Sequence, residues 1–164
     1  MPLTPFHWSI LFIGFLFFNT FSIPALLLSS IVMDIEPFYY LFISPNPSGE
    51  LHGFFHTYIG ATIIAFVIAL VLIKWQRKVD YLFRLLRIDQ KKFSNKEIYI
   101  SSFIGAYSHI LFDSFMHADV KPFWPITTTN PFLGIISVGD IYFITTMGLV
   151  FTTSAYIIHL IRTK

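Results

Sequence analysis

The stretch FFHTYIGATIIAFVIALVLI, residues 54–73, runs directly into KWQRK, residues 74–78. It contains no Lys, Arg, Asp or Glu, and His56 is its one group that titrates near neutrality. At ~1.5 Å per residue such a run forms a helix of about 30 Å, the thickness of a bilayer's hydrocarbon core. Lys and Arg then follow at one end, as they do on the cytoplasmic side of membrane helices. This run therefore predicts a bilayer crossing and gives it a direction.

The rest of the chain extends the pattern. Of its 164 residues, 55% are hydrophobic and 12% charged, and 20 are phenylalanine. A globule this small cannot bury so many aromatic rings, but lipid can solvate them. Mean hydropathy is +0.68. Further apolar stretches cover 8–23, 25–43, 98–116 and 135–161, which makes about five hydrophobic segments in all. The expected fold is an all-α polytopic membrane bundle forming a single integral membrane domain, 1–164. Pro24 separates the first two stretches, and a loop rich in Pro, Ser and Gly occupies 44–51. Pro37 disfavours helix through Glu36, so the second stretch is expected to break there, with Asp34 and Glu36 at a helix end. No Lys or Arg precedes the first stretch and no A-x-A-like site follows it, so it is expected to be retained rather than cleaved.

Charge orients the bundle. Of the 11 Lys and Arg, 8 fall in the connection 74–97, and Arg162 and Lys164 follow the last stretch. Five crossings put both regions on one side, predicted cytoplasmic in a multi-pass plasma-membrane protein. Within the connection, Val79, Leu82, Phe83 and Leu86 recur at helical spacing among Arg77, Arg84 and Arg87. That predicts an amphipathic helix over 75–93 lying on the inner leaflet. There is no cysteine, hence no disulfide and no thiolate metal site. Nothing suggests nucleic-acid binding. Membrane lipid is the expected partner, and oligomeric state is not legible.

Against this background the ionisable residues stand out, because each costs several kcal/mol inside a bilayer unless paired. His7, Asp34, Glu36, His52, His56, His109 and Asp113 come from four separate stretches. Counted along their helices, Asp34 and Glu36 lie roughly 14–17 Å, and His109 and Asp113 roughly 17–23 Å, from the cytoplasmic side. His7, His52 and His56 stand at the opposite mouth, so all seven fall in one extracytoplasmic stratum. His52/His56 and His109/Asp113 are i,i+4 pairs, which share a face if helical. Imidazole and carboxylate ligands suit zinc or a similar divalent ion. The expected ligands are His7, Asp34, His52, His56, His109 and Asp113, holding one or two ions. Asp34 and Glu36 are the candidate catalytic bases. Sharing an ion requires His56, His109 and Asp113 to lie within about 8 Å of one another. Glu50 and Asp119 read as solvated loop residues, His117 as a water-boundary residue, Asp140 as a helix cap and His159 as interfacial.

The order His7, Met33-Asp34-Ile35-Glu36, His52-Gly53-Phe54-Phe55-His56-Thr57, Ser108-His109-Ile110-Leu111-Phe112-Asp113-Ser114, Lys121-Pro122-Phe123-Trp124-Pro125 resembles the prokaryotic membrane-bound metal-dependent hydrolases. That family is thought to be distantly similar to zinc-dependent phospholipase C, an all-helical metallophosphoesterase fold. Members often carry Pro at the position of Met33 and Asp at that of Glu36. Many also carry Arg beside the first His of H-R-G-x-T-H, so His56 carries over directly and His52 does not. The resemblance implies a metal-dependent hydrolase, with a lipid or other phosphoester as the first expected substrate. The alternatives are a metal-ion or proton transporter and a non-catalytic module clamped by its metal. The apolar run 63–73 counts against transport.

Overall fold

The structure, a computed structural model, describes residues 5–44 and 49–162. Residues 45–48 of the expected loop, and Lys164, lie outside the described residues. A 3-10 turn over Pro5–Ile10 leads into α1 (Leu11–Leu16). Next come α2 (Ile23–Ile31), a 3-10 turn at Val32–Asp34 and α3 (Ile35–Phe42). A 3-10 turn at Phe54–His56 precedes α4 (Tyr58–Leu85), followed by α5 (Asn95–Met116) and α6 (Val138–Arg162).

Among the described residues, three helical stretches are long and apolar enough to cross a membrane: Ile23–Phe42, Tyr58–Leu85 and Val138–Arg162. This corrects the expected five. The first stretch is helical only over His7–Leu16, a shorter apolar segment, before the chain turns. The fourth became α5, whose 22 residues have the length but spend too many positions on Ser, His and Asp.

The separate amphipathic helix over 75–93 is also corrected. α4 continues across that boundary, but Trp75 is non-helical (φ −112°, ψ 19°), so two helical pieces join there at a kink and the second stops near Leu85 instead of reaching 93. No Pro or Gly interrupts 61–85, and Lys, Gln, Arg and Leu all favour helix, so it propagates. It ends where Arg87 takes the left-handed conformation (φ 57°).

The second stretch is interrupted, but upstream of the expected position, and Glu36 and Pro37 are themselves helical. The 3-10 turn at Val32–Asp34 separates α2 from α3, and Pro37 occupies α3's first turn, where its missing N–H costs nothing.

α5 is the central helix. Its buried residues recur in pairs three to four apart, Ser101/Ser102, Gly105/Ala106, His109/Ile110 and Asp113/Ser114, so two faces are covered at once. α2 lies along one face, running parallel to it. Ser22 N donates to Ser101 Oγ (2.9 Å), and further along the same direction His109 Nδ1 meets the Ser30 carbonyl (2.7 Å). Between them Gly105 lets the backbones touch, since a Cβ there would sit 2.5 Å from the Leu26 carbonyl oxygen. α4 covers another face through buried Ala61, Ala65 and Ala69, small residues spaced one turn apart. α6 packs on the N-terminal segment, where Phe12 meets Phe151 (5.4 Å).

The two ends of this bundle differ in chemistry. One gathers the Lys- and Arg-rich end of α4 and the start of α5. The other gathers His7, the α2–α3 break, residues 49–57, the end of α5 and the connection to α6.

Candidate metal centre

Each side chain at the second end is delivered by a local feature. His109 and Asp113 project from one face of α5, with Nε2 and Oδ2 3.1 Å apart. The break before α3 brings Asp34 Oδ1 to 3.8 Å from His109 Nε2. Thr57 caps α4, its hydroxyl accepting from Gly60 N (2.9 Å), which leaves His56 on the preceding 3-10 turn. His52 lies in an irregular segment and His56 on a 3-10 turn, so the condition for the pair to share a helix face is not met. The two rings meet nonetheless, with centroids 4.6 Å apart.

Asp113 is the common neighbour. Its Oδ1 faces His7 Nε2 (3.3 Å) and, more distantly, His117 Nε2 (4.0 Å). Its Oδ2 faces Nε2 of His109 (3.1 Å), His56 (3.6 Å) and His52 (3.9 Å). His7 also stacks on His109, with centroids 3.8 Å apart. His7, His52, His56, His109 and Asp113 are each 5% exposed or less. The approach required of His56, His109 and Asp113 is met with a wide margin.

Three of these imidazoles are held from behind. His109 Nδ1 donates to the Ser30 carbonyl (2.7 Å), an oxygen that can only accept. His56 Nδ1 meets Glu36 Oε2 (2.8 Å), and His52 Nδ1 meets Asp119 Oδ1 (2.9 Å). With Nδ1–H committed outward, each ring turns Nε2 inward. His56 Nε2 and His109 Nε2 are then only 3.2 Å apart. Two imidazole lone pairs facing one another at that distance repel unless a cation or a proton lies between them. Ligand bonds of ~2.0–2.2 Å in a tetrahedral arrangement place ligand atoms roughly 3.3–3.6 Å apart. Nε2 of His56, Nε2 of His109 and Oδ2 of Asp113 lie 3.1–3.6 Å apart, and His7 Nε2 lies 3.3 Å from Asp113 Oδ1, the spacing of ligand atoms around a divalent ion. Several triplets can hold one, including His7/His109/Asp113, Asp34/His56/His109 and His52/His56/Asp113.

The two acidic residues of the α2–α3 break differ. Glu36 spends both oxygens on the turn that carries His56, accepting from Gly53 N (3.0 Å) and Phe55 N (3.2 Å) as well as from the ring. Gly53 permits this approach, since a Cβ there would lie 2.7 Å from Glu36 Oε1. Asp34 makes no hydrogen bond among the described residues and keeps a partly exposed side chain.

Two residues expected in solvent belong to the cluster's surround. Asp119 accepts from Leu51 N (2.9 Å), His52 N (3.1 Å) and the His52 ring. Partial burial pushes its carboxyl up, but the hydrogen bond and charge of His52 and the two N–H donors hold it well below the usual carboxylate range. His117 stacks on His52 (4.6 Å), and burial holds its imidazole below the ordinary value. A readable signal existed for His117, because 109, 113 and 117 lie on one helix face. None existed for Asp119, whose contact spans 67 residues. Glu50 is likewise not a simple solvated residue, since Lys121 Nζ donates to both of its oxygens (2.9 and 3.1 Å). Asp140 is not itself the cap of α6: Ser137 is, its hydroxyl accepting from Asp140 N (3.1 Å) and donating to the Asp140 carboxylate in the helix's first turn (2.7 Å).

Fold and cluster together define a class: a multi-pass, all-helical membrane protein with a buried His/Asp cluster able to coordinate a divalent metal. Within that class, the chain belongs to the YdjM inner membrane protein family, whose model matches residues 16–162. No curated protein matches the chain. No solved structure matches it either.

Proposed function

We propose that the protein is a membrane-embedded, divalent-metal-dependent hydrolase acting on a phosphoester of a lipid or other amphiphile. One observation carries this reading: three imidazoles, each fixed at Nδ1 by an outer acceptor, aim Nε2 at one carboxylate. Outer acceptors of that kind orient and strengthen metal-bound histidines.

His7, His56, His109 and Asp113 would hold the ion, with His52 and Asp34 at its margin. An imidazole and carboxylate set without thiolate suits zinc. When bound, such an ion supplies Lewis acidity and lowers the pKa of a coordinated water towards neutrality. Asp34, unengaged by hydrogen bonds and partly open, is placed to take a proton from that water. Glu36 is committed to the His56 turn, and its role is to position that ring. Asp119 does the same for His52.

The concentration of Lys and Arg in 74–97 supports a cytoplasmic placement of that connection in the plasma membrane, with the cluster on the other side.

Purified protein should contain about one equivalent or more of zinc or a similar ion. It should hydrolyse bis(4-nitrophenyl) phosphate or phosphatidylglycerol in vesicles, and chelation should abolish the activity. His109→Ala and Asp113→Ala should lose both ion and activity while remaining folded. Full metal retention in both variants would sink the assignment. Metal without any turnover would favour the clamp over the enzyme.

A further inference from the structure

A cavity of about 390 Å³ lies between α3 and the start of α4. One wall is the face of the 32–40 segment that carries Val32, Ile35, Tyr39 and Tyr40; the other is Phe55 and Ile64. Its volume is in the range of ligand-binding pockets. From Val32 to Tyr40 it extends about 12 Å, at ~1.5 Å per residue.

What would occupy it follows from its walls, rim and floor. The walls are hydrocarbon and aromatic, and no Lys or Arg lines them, so an anionic headgroup finds no partner there. The rim is continuous with the lipid-facing surface of two membrane-spanning stretches. Ile35 and Phe42 are exposed on one, as are Ile59, Ile63 and Phe66 on the other. The floor is Glu36, whose carboxylate meets His56 Nδ1 at 2.8 Å. The same segment carries Asp34 to within 3.8 Å of His109. A hydrocarbon chain lying in this groove therefore ends one side chain away from the metal-binding cluster.

We propose that the groove between α3 and α4 holds one acyl chain of a membrane phospholipid and presents its phosphate ester to the Asp34–His56 side of the cluster. The presentation step rests on the hydrolase reading; capture of the chain does not. The groove supplies binding by apolar contact, and the cluster supplies chemistry.

The test uses the full chain in vesicles of phosphatidylethanolamine and phosphatidylglycerol, doped with a phosphatidylglycerol bearing a diazirine in one acyl chain. After photolysis, label on peptides covering 32–40 and 55–64 is compared with label on the lipid-facing side of α6. The groove should be enriched about tenfold over α6 in the wild type. Val32→Trp and Ile64→Trp, which fill the cavity from opposite walls, should erase that enrichment. Ile63→Trp, one position away on the lipid-facing surface, should leave it intact. Even labelling of α3, α4 and α6 in the wild type overturns the proposal, since the groove then holds only boundary lipid. Enrichment that survives both filling substitutions overturns it too. If either filled variant fails to fold, the wild-type ratio decides. His109→Ala separates the two readings: enrichment retained after metal is lost supports the groove by itself. A protein that captures the chain but never cleaves its ester refutes the hydrolase and leaves the groove standing.

Discussion

The seam between α2 and α5 has two ends, built from the same two parallel helices and treated in opposite ways. At the basic end the backbone N–H and carbonyl groups that open onto the seam meet complementary side chains, and the unpartnered polar atom there, among the described residues, is a neutral hydroxyl, Ser102 Oγ. Ser101 Oγ accepts from Ser22 N and donates to the Glu97 carbonyl (2.9 and 2.8 Å). Gln90 accepts from Ile23 N (2.9 Å) and donates to the carbonyls of Phe18 and Phe21. At the histidine end, acceptors face acceptors. Nε2 of His56 and His109 and the carboxylate of Asp113 converge with no protein donor among them once Nδ1 is committed elsewhere. A satisfied buried network rigidifies a fold, whereas convergent lone pairs invite a cation. The difference separates structural polarity from functional polarity along a single interface.

The sharpest way to break this comparison is Asp113→Asn, which keeps shape and removes the shared charge. Metal affinity should fall by at least about a hundredfold, beyond the 10–100-fold typical of outer partners. Titration of the apoprotein with zinc checks this, and unchanged affinity would mean that the carboxylate does not hold the ion. Next in size are the residues that hold the rings from behind. Glu36→Gln and Asp119→Asn should each weaken metal binding about 10–100-fold. Asp119→Asn should leave thermal stability in chelator nearly unchanged, whereas Glu36→Gln should also cost about 1–3 kcal/mol, because its amide nitrogen must face the Gly53 or Phe55 N–H. Gln90→Leu is their counterpart at the other end. It should cost about 1–3 kcal/mol of stability, from carbonyls and an N–H left unpaired, and leave metal content alone. If Gln90→Leu loses metal, or Glu36→Gln loses only stability, the division between the ends fails. Gly105→Ala acts on both ends through the seam, because its methyl meets the Leu26 backbone. Its expected cost is about 1–3 kcal/mol.

How much of this was legible depended on whether a feature was local. The apolar helix within 54–73 and the α5 pair His109/Asp113 are consequences of spacing within one segment, and each is present; the interruption expected at Pro37 is present a few residues earlier, at Val32–Asp34. The depth argument brought residues of separate segments together correctly, because the bilayer imposes a common axis on all of them. The misreadings have the opposite character. The i,i+4 spacing of His52/His56 puts them on one face only in a helix, and Thr57, a natural N-cap, starts α4 after both of them. The amphipathic stretch 75–93 does begin at a break, the kink at Trp75, but it joins α4 there and ends near Leu85, because no Pro or Gly between 61 and 85 separates the two pieces. α5 has the length of a span but not the apolarity of one, because its polar residues face protein. Asp119 could not be found by spacing, since only the folded chain carries it to His52. Glu36 looked like a free base because its partners, two backbone N–H groups and a ring, have no signature in sequence.

The smallest expected effect lies at the basic end, where α5 begins. Ser94 and Glu97 form a reciprocal cap. Ser94 Oγ accepts from Glu97 N (3.4 Å), and Glu97 Oε2 accepts from Ser94 N (2.8 Å). Ser94→Ala should cost about 0.5–2 kcal/mol, read as a lowered melting temperature at neutral pH. Lys91 adds a bond to Glu97 Oε1 (2.6 Å) and, with the Ser94 N–H and hydroxyl, holds the Glu97 carboxyl down to about 2. A depressed acid stabilises the fold above its ordinary pKa and loses that contribution as pH falls through the folded value. The difference in melting temperature between wild type and Lys91→Met should therefore be full at neutral pH and shrink between about pH 4.5 and 2. It should also shrink in high salt, because the pair is solvent-exposed. A difference that stays constant across that acid range would show that Lys91 acts through packing on Phe93, over whose ring its ammonium lies at 5.3 Å, rather than through Glu97. In either case the metal-binding cluster at the far end of α5 should be untouched, since the helix transmits its position and not its charge.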